Sequence, residues 1–396
     1  MSGGKCLRPD VPSGGEGEGA ARENNAKGRG KETGACSSQR QFKREDGRYP
    51  LTGHLELKAL MQTDAKKPYT YVFVCGLHRS GTSVLALNIG GLENCTGFKN
   101  TPPNVPDEGQ NLQDVYPFES EFGGPGKFGF HPRAHLTETS ELLTPENVAR
   151  LRASWHSYWD RRATIFVEKT PGNLLMTRFL QAAFPNSYFI VIRRHPVPVC
   201  LGTPRLGQAT ATSLHRLFEH WLHCHDIFNE DKKFLKHLYE LTYEEYIENP
   251  GKYHQEIAAL IGTRAPQGTK KEVKADRSNK HFNRWRELLV NSPFKTYYNY
   301  IAKKYESRFI EYGYSLARWP DMGAELGRES GRISALRGSL FCFGADAYAL
   351  MRRILSWPPP YIRARIKARL PESVVAKIKQ ARHKRSLSRK GEVTAR

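Results

Sequence analysis

Residues 71–83 read Tyr-Val-Phe-Val-Cys-Gly-Leu-His-Arg-Ser-Gly-Thr-Ser, and this stretch decides the fold. Its five leading residues are typical of a buried parallel strand. Glycines at 76 and 81 then frame a turn that is rich in hydroxyl groups, and a helix-compatible apolar pattern starts at Thr82. Because glycine allows close backbone approach and a helix N-terminus attracts negative charge, the turn predicts a phosphate-binding loop.

The loop differs at one position from the loops that bind nucleoside triphosphates. In the Walker pattern a lysine directly follows the second glycine, but here Thr82 holds that position and Arg79 supplies the positive charge. The Walker lysine reaches the β- and γ-phosphates, so we expect this loop to hold a different phosphate ligand. A nucleotide-dependent kinase with a modified Walker loop remains the alternative.

Three further strand-like runs each end at a residue suited to a ligand site. Residues 163–167 precede Lys169, residues 187–192 precede Arg194, and residues 238–242 precede Tyr243. In open α/β sheets, ligands bind beyond the carboxyl ends of the strands. The four segments therefore predict an α/β fold of the P-loop type, with three α/β/α layers around a central parallel sheet.

These motifs together resemble those of sulfotransferases, and the Arg-Ser-Gly-Thr core is similar to that of the tyrosylprotein-sulfotransferase-like and bacterial branch. The resemblance covers residues 69–315. It implies an enzyme that moves a sulfuryl group from 3′-phosphoadenosine 5′-phosphosulfate to an acceptor hydroxyl. By position, the residues that inherit the grip on the 5′-phosphosulfate are Arg79, Ser80, Gly81, Thr82 and Ser83.

The resemblance also assigns the rest of the nucleotide site. Arg194 is expected to bind the 3′-phosphate, and Tyr243 is expected to lie near the adenine. The family's serine eight residues after that arginine is replaced by Gly202, so Thr203 is taken as its substitute. Lys280 belongs to a basic and aromatic stretch, residues 277–285, that resembles the loop closing over the nucleotide.

Sulfuryl transfer requires fixed positive charge where the leaving oxygen becomes negative, and Arg79 and Lys169 are the predicted catalytic cations. A general base must also take the proton of the acceptor hydroxyl. The resemblance places a glutamate in this role, and we predict Glu108. The remaining candidates for the base are Asp107, Asp114, His78, His131 and His135. No spacing of His, Cys and Asp is typical of a zinc or iron site, so no metal is predicted.

The acceptor is expected to meet residues 97–137, which are rich in Gly, Pro and aromatic side chains. Long loops of this kind inside a domain are usually functional or disordered. The acceptor hydroxyl could belong to a peptide tyrosine, a carbohydrate, a lipid or a small molecule, because acceptor pockets vary on a shared donor site.

Composition indicates one α/β domain between a disordered tail over residues 1–65 and a basic helical C-terminal extension over 321–396. The resemblance implies that the central part, residues 66–320, is a sulfotransferase domain. No run reaches the roughly 20 apolar residues of a membrane span, which favours a soluble, cytoplasmic enzyme. The seven scattered cysteines predict free thiols in a reducing compartment. One bridge, such as Cys95–Cys200, is the alternative.

A net charge of +21 is concentrated towards the C-terminus, where basic and apolar residues alternate over 349–396. This pattern predicts a pair of interfacial helices that bind an anionic membrane or an acidic acceptor. A helix packed on the domain with a solvated basic face is the alternative. No nucleic-acid-binding module is recognisable, so no nucleic acid partner is expected.

Overall fold

The computed structural model describes residues 69–103, 105–206, 212–266, 271, 278–318 and 335–355. Within them, five strands form one parallel sheet in the order β2-β3-β1-β4-β5. The strands are β1 Thr70–Cys75, β2 Cys95–Thr96, β3 Ile165–Lys169, β4 Ser187–Arg193 and β5 Leu238–Thr242. The predicted α/β fold with a central parallel sheet is confirmed, whereas the predicted tail over 1–65 lies outside the described residues.

Helices connect the strands and cover both faces of the sheet. They are α1 Thr82–Ile89, α2 Pro145–His156, α3 Thr177–Ala183, α4 Pro196–Gly202, α5 Leu214–Asp231, α6 Tyr243–Glu248, α7 Pro250–Leu260, α8 Asn279–Val290, α9 Lys295–Ile310 and α10 Ala335–Leu355. Short 3-10 turns occupy much of the long connection between β2 and α2.

The alternation of side chains along β1 explains the three layers. Val72 and Val74 point into an aliphatic cluster with Leu85 of α1 and Ile257 of α7. Phe73, one residue along, points to the opposite face. Successive strand residues face opposite sides of a sheet, so a strand that is apolar at every position must be covered on both faces. The sequence of β1 has this character.

Phe73 lies at the centre of the aromatic face and is fully buried. Its ring centroid is 5.5 Å from that of Phe184 and 5.4 Å from that of Phe189, and Trp155 follows at 6.2 Å. These are the separations at which aromatic pairs gain about 0.5–1.5 kcal/mol beyond simple burial. The cluster therefore fixes the sheet against α2 and the segment before β4.

Local signals set the helix starts. Thr144 accepts a hydrogen bond from the backbone N–H of Asn147 at 3.2 Å, and Pro145 occupies the first turn of α2. Thr242 and Glu245 form a reciprocal capping box at the start of α6. Capping residues of this kind satisfy backbone donors that have no partner within the helix.

Two predicted boundaries differ from those in the structure. The run at 163–167 forms a strand two residues later, because Asp160 turns the chain by accepting the backbone N–H of Ala163 at 3.0 Å. Lys169 is therefore the last residue of β3, whereas the sequence predicts that it lies just past the end of the strand. The helical stretch after Pro171 is divided into a 3-10 helix, Pro171–Leu175, and α3.

The strand register brings the predicted site together. Val74 pairs with Lys169, Cys75 with Val191, and Arg193 with Thr242. The carboxyl ends of β3, β1, β4 and β5 consequently lie side by side along one edge of the sheet. The loop at 76–81 leaves from the middle of this edge.

Helix α10 packs on the body of the domain through its smallest residues. Gly338 lies directly against the ring of Tyr300 on α9, and the Asp346 carboxylate accepts from the Ser213 hydroxyl. Nearly all of the helix pair predicted over 349–396 lies outside the described residues. Among the helices that the structure describes, none is both long and apolar enough to cross a membrane.

Candidate active site

Two glycines shape the loop after β1 in a way that other residues could not. Gly76 has a φ of 146° and its Cα faces the carbonyl oxygen of Ile192. Gly81 has a φ of 100°, and a Cβ there would lie 2.5 Å from Cδ2 of Tyr243. The loop is thus held close to β4 and to the Tyr243 ring, which supports the prediction that both positions require glycine.

The loop runs into α1, and its hydroxyl groups differ in exposure. Ser80 and Thr82 are buried, whereas Ser83 in the first turn of α1 is exposed. The Ser80 Oγ has no hydrogen-bond partner among the described residues. Buried polar atoms are normally paired, so a hydroxyl in this state beside the leading N–H groups of a helix fits an anionic ligand.

Arg194 ties the loop to two other segments. Its Nη1 donates to the carbonyl oxygen of Arg79 at 2.7 Å, and its Nη2 donates to Ser278 Oγ at 2.8 Å. The guanidinium carbon lies 3.9 Å from the centroid of the Tyr243 ring. Burial lowers the pKa of this guanidinium from its usual value. The structure therefore brings Arg79, Arg194 and Tyr243 together, as the sequence predicts.

His195 has a structural role beside Arg194. Its Nδ1 accepts the backbone N–H of Val197 at 3.2 Å, and its Nε2 lies 3.1 Å from the carbonyl oxygen of Ser315. Burial lowers the pKa of its imidazole to about 3, so the ring is neutral. A neutral ring can accept at one nitrogen and donate at the other, and His195 thereby caps α4.

Gly202 lies against the Arg79 side chain. A Cβ on Gly202 would lie 3.2 Å from Arg79 Nε and 3.4 Å from its Cγ. The predicted substitute, Thr203, is buried and donates its hydroxyl to the Val199 carbonyl at 2.7 Å. Its proposed contact with a phosphate stays a prediction.

Lys169 and Glu108 meet at the mouth of the loop. Lys169 Nζ donates to Glu108 Oε1 at 2.6 Å, and their side chains are only 13% and 16% exposed. The two residues are 61 positions apart in sequence and lie on different elements. The structure thus joins two of the three predicted catalytic residues in a shielded ion pair.

A buried carboxylate holds this pair in place. Glu168 Oε1 accepts the backbone N–H of Gly109 at 2.7 Å and the hydroxyl of Thr170 at 2.6 Å, while Oε2 accepts from Asn173. Burial raises the pKa of the Glu168 carboxyl to about 7, and the hydrogen bonds oppose this rise. Because Gly109 follows Glu108 directly, Glu168 anchors the chain that carries the candidate base.

A polar chain connects the ion pair to the loop after β1. Gln110 Nε2 donates to Glu108 Oε2 at 2.9 Å, and Gln110 Oε1 accepts the backbone N–H of Glu119 at 3.2 Å. Glu119 Oε1 then lies 2.7 Å from Nε2 of His78. The connection runs from β3 to the residue before Arg79, so both halves of the site are mechanically linked.

The other predicted residues lie elsewhere. Asp107 is exposed and accepts from Thr101. Asp114 pairs with Arg150 at 3.0 Å, and His135 pairs with Asp231 at 2.8 Å. His131 stacks on Phe122 with ring centroids 4.4 Å apart. Lys280 is exposed in the first turn of α8.

The sequence analysis overlooked Glu168, Gln110 and Ser278. The sequence did contain a signal for Glu168. It lies two residues after Phe166 and therefore on the same buried, aromatic face of β3, where an unpaired carboxylate is costly. Ser278 belongs to the basic and aromatic stretch over 277–285. Its contact with Arg194 depends on chain folding that spacing cannot predict.

Within the described segments, no group of His, Cys, Asp and Glu is arranged to hold a metal ion. The five cysteines of these segments, Cys75, Cys95, Cys200, Cys224 and Cys342, are free thiols. The alternative Cys95–Cys200 bridge is therefore not formed.

Comparison with known proteins identifies the family of this chain. A sequence model described as the sulfotransferase family matches residues 71–267, which contain β1 to α7 and nearly all of the candidate site. No curated protein sequence matches the chain. The chain belongs to the sulfotransferase family.

Several solved structures show a distant likeness to this chain. A sulfotransferase from Mycobacterium tuberculosis is 14% identical, with 57% of this chain and 75% of that chain covered and a TM-score of 0.37. The sulfotransferase domain of the Synechococcus PCC 7002 olefin synthase is 16% identical, with coverage of 70% and 95% and a TM-score of 0.34. A sulfotransferase from Alicyclobacillus acidocaldarius is 15% identical, with coverage of 61% and 96% and a TM-score of 0.32.

Proposed function

We propose that this protein transfers a sulfuryl group from 3′-phosphoadenosine 5′-phosphosulfate to an acceptor hydroxyl by in-line displacement. The observation that carries the proposal is the ion pair between Lys169 and Glu108, 2.6 Å apart at the mouth of the phosphate-binding loop. A cation and a base at that place are the two groups that sulfuryl transfer requires.

The loop would hold the sulfated 5′-phosphate of the donor. Its leading helix N–H groups, the Ser80 hydroxyl and the Arg79 guanidinium all belong to one turn. The unpartnered Ser80 Oγ supports this assignment, because a ligand oxygen would give it a hydrogen bond. Thr82 and Ser83 extend the same surface.

Arg194 would bind the 3′-phosphate together with Ser278. The two side chains are already joined at 2.8 Å, so a guanidinium and a hydroxyl converge on one point. In this arrangement Ser278 provides the hydroxyl that Gly202 cannot. Tyr243, whose ring lies under the Arg194 guanidinium, would contact the adenine.

The chemical step divides between Lys169 and Glu108. The Glu108 carboxylate accepts the acceptor's proton while the acceptor oxygen forms its bond to sulfur. The bond between sulfur and the bridging oxygen breaks, and the Lys169 ammonium donates a hydrogen bond to that oxygen as its charge grows. Arg79 stabilises the same charge from the loop. No redox change occurs: the proton passes to Glu108, the sulfuryl group passes to the acceptor oxygen, and 3′-phosphoadenosine 5′-phosphate leaves.

The acceptor is proposed to enter between the loop and residues 109–134. The free thiols of the described cysteines support a reducing, cytoplasmic environment for the enzyme.

The test measures formation of 3′-phosphoadenosine 5′-phosphate from the sulfated donor with a panel of phenolic, sugar and lipid hydroxyl acceptors. We expect Lys169→Met and Glu108→Gln each to lower turnover about 100-fold or more. The matched controls are Lys232→Met and Glu240→Gln, a second Lys–Glu pair with a 2.9 Å separation that is 35% and 38% exposed. These should retain wild-type turnover.

Two results would count against the proposal. If Lys169→Met transferred the sulfuryl group as fast as the wild type, Lys169 would not be the catalytic cation. If Glu108→Gln released the bisphosphate as fast as the wild type, another group would take the proton, and the His78 imidazole would be the next candidate.

A further inference from the structure

Helix α10 exposes large apolar side chains on its outer face. Leu336 and Phe343 are each 74% exposed, Leu340 is 62% exposed, and Leu350 is 56% exposed. They recur at spacings of three, four and seven residues, so they form one stripe along the helix. Tyr348 and Met351, also about half exposed, widen the stripe. Contiguous exposed apolar surface of this kind marks an interaction site.

The inner face of the helix has the opposite composition. The residues turned to the domain are small: Gly338, Cys342 and Ala349 are buried. Asp346 fixes the helix from the same side, with its carboxylate 3.2 Å from Nε2 of His215. The attachment therefore does not use the large apolar residues, which leaves the stripe directed away from the domain.

The charges near the stripe identify its partner. Arg337 and Arg352 are exposed on the same helix, near its two ends. The sequence continues from α10 into residues 356–396, which contain twelve Lys or Arg and two Glu. An apolar stripe followed by a strongly basic segment is complementary to a surface that is apolar inside and negatively charged outside.

A second copy of the chain fits this composition less well. Pairing two copies along the stripe would bring together two strongly basic segments, and like-charge repulsion opposes this. Anionic lipid headgroups would instead attract the basic charge while the acyl region received the apolar side chains.

We infer that α10 is a membrane-surface docking element that lays its stripe of Leu336, Leu340, Phe343 and Leu350 into an anionic lipid bilayer. The basic charge of the helix and of the sequence that follows it is complementary to the anionic headgroups. The helix lies in the interface and does not cross the bilayer. The inference is independent of the proposed sulfuryl transfer, since none of its residues belongs to the candidate active site.

The test is co-sedimentation of the full-length protein with two kinds of vesicle, phosphatidylcholine alone and phosphatidylcholine mixed with phosphatidylserine. We expect binding to the anionic vesicles that weakens with added salt. The double variant Phe343→Ser, Leu350→Ser should bind about tenfold more weakly, because it removes two apolar anchors. The matched control is Val290→Ser, Ile310→Ser, which changes two side chains on α8 and α9 that are each 59% exposed.

The control should bind like the wild type, and thermal unfolding should show that both double variants are folded. Equal binding to neutral and anionic vesicles, or no binding to either, would overturn the inference. So would wild-type binding by the stripe variant. Light scattering without vesicles adds a separate arm: a wild-type dimer that the stripe variant converts to a monomer would show that a second chain covers this face instead.

Discussion

The buried Glu168 carboxylate makes the stability of this protein depend on pH in a defined direction. The side chain is 1% exposed, and burial raises the pKa of its carboxyl from 4.5 to about 7. The variant Glu168→Gln has a side chain of nearly the same size that does not titrate. The variant therefore isolates the free energy that belongs to this one proton.

The sign and size follow from linkage. Below about pH 4 the carboxyl is protonated in both the folded and the unfolded chain, so it contributes no pH dependence there. As the pH rises towards 7 the unfolded chain loses this proton while the folded protein retains it, and unfolding becomes easier. A pKa difference of about 2.5 corresponds to about 3 kcal/mol, all of which is lost once the pH exceeds about 7.

The assay is urea unfolding followed by tryptophan fluorescence at several pH values between about 4 and 8. The free energy of unfolding of Glu168→Gln minus that of the wild type should increase by about 3 kcal/mol over this range. Thr170→Val is the matched comparison, because it keeps the titrating group but removes one hydrogen bond that opposes the rise of the Glu168 pKa. Its stability should therefore fall with rising pH at least as much as that of the wild type. A difference between Glu168→Gln and the wild type that stays constant with pH would refute the reasoning.

Three other variants test the loop, the core and the phosphate site. Gly81→Ala should lower the affinity for 3′-phosphoadenosine 5′-phosphate about tenfold in calorimetry, through strain of roughly 1–3 kcal/mol. The control is Gly262→Ala, which should bind the bisphosphate normally. Gly262 also has a positive φ (74°), but no atom would lie within 4 Å of a Cβ there. Phe73→Ala should reduce the free energy of unfolding by about 3–5 kcal/mol, and a loss below about 1 kcal/mol in urea unfolding would contradict the described packing. Arg194→Lys keeps the charge but loses the two-pronged contact of the guanidinium. Calorimetry should therefore show weaker binding of the bisphosphate and little change in the binding of adenosine 5′-monophosphate. An equal loss of affinity for both nucleotides would argue against binding of the 3′-phosphate by Arg194.

Much of the fold was predictable because its signals are local. The apolar run at 71–75 and the glycines at 76 and 81 specify a strand, a turn and a helix with no help from distant residues. The run at 238–242 likewise gives the bounds of β5 as observed. Strand β3 was misplaced by two residues because the turn at Asp160 competes with the β propensity of residues 163 and 164. In that turn the Asp160 backbone carbonyl accepts the N–H of Ala163 and its side chain accepts the N–H of Arg162.

The candidate site was predictable only in part. Arg79, Lys169 and Arg194 each follow or end a strand, and parallel pairing brings those ends together. The contact between Lys169 and Glu108 depends on a long connection whose path is set by Glu168 and Trp155; the Trp155 indole donates to the Gly109 carbonyl at 3.0 Å. Side-chain contacts between distant segments leave no periodic trace in the sequence, so Ser278 and Gln110 were not predicted.

The central claim is that the loop at 76–83 and Arg194 bind a 3′-phosphorylated adenine nucleotide. Calorimetric binding of 3′-phosphoadenosine 5′-phosphate and of ATP to the wild type and to Arg79→Ala tests it most directly. We predict tight binding of the bisphosphate, weak binding of ATP and loss of bisphosphate binding in the variant. ATP binding that equals or exceeds that of the bisphosphate would contradict the account and favour a nucleotide-dependent kinase.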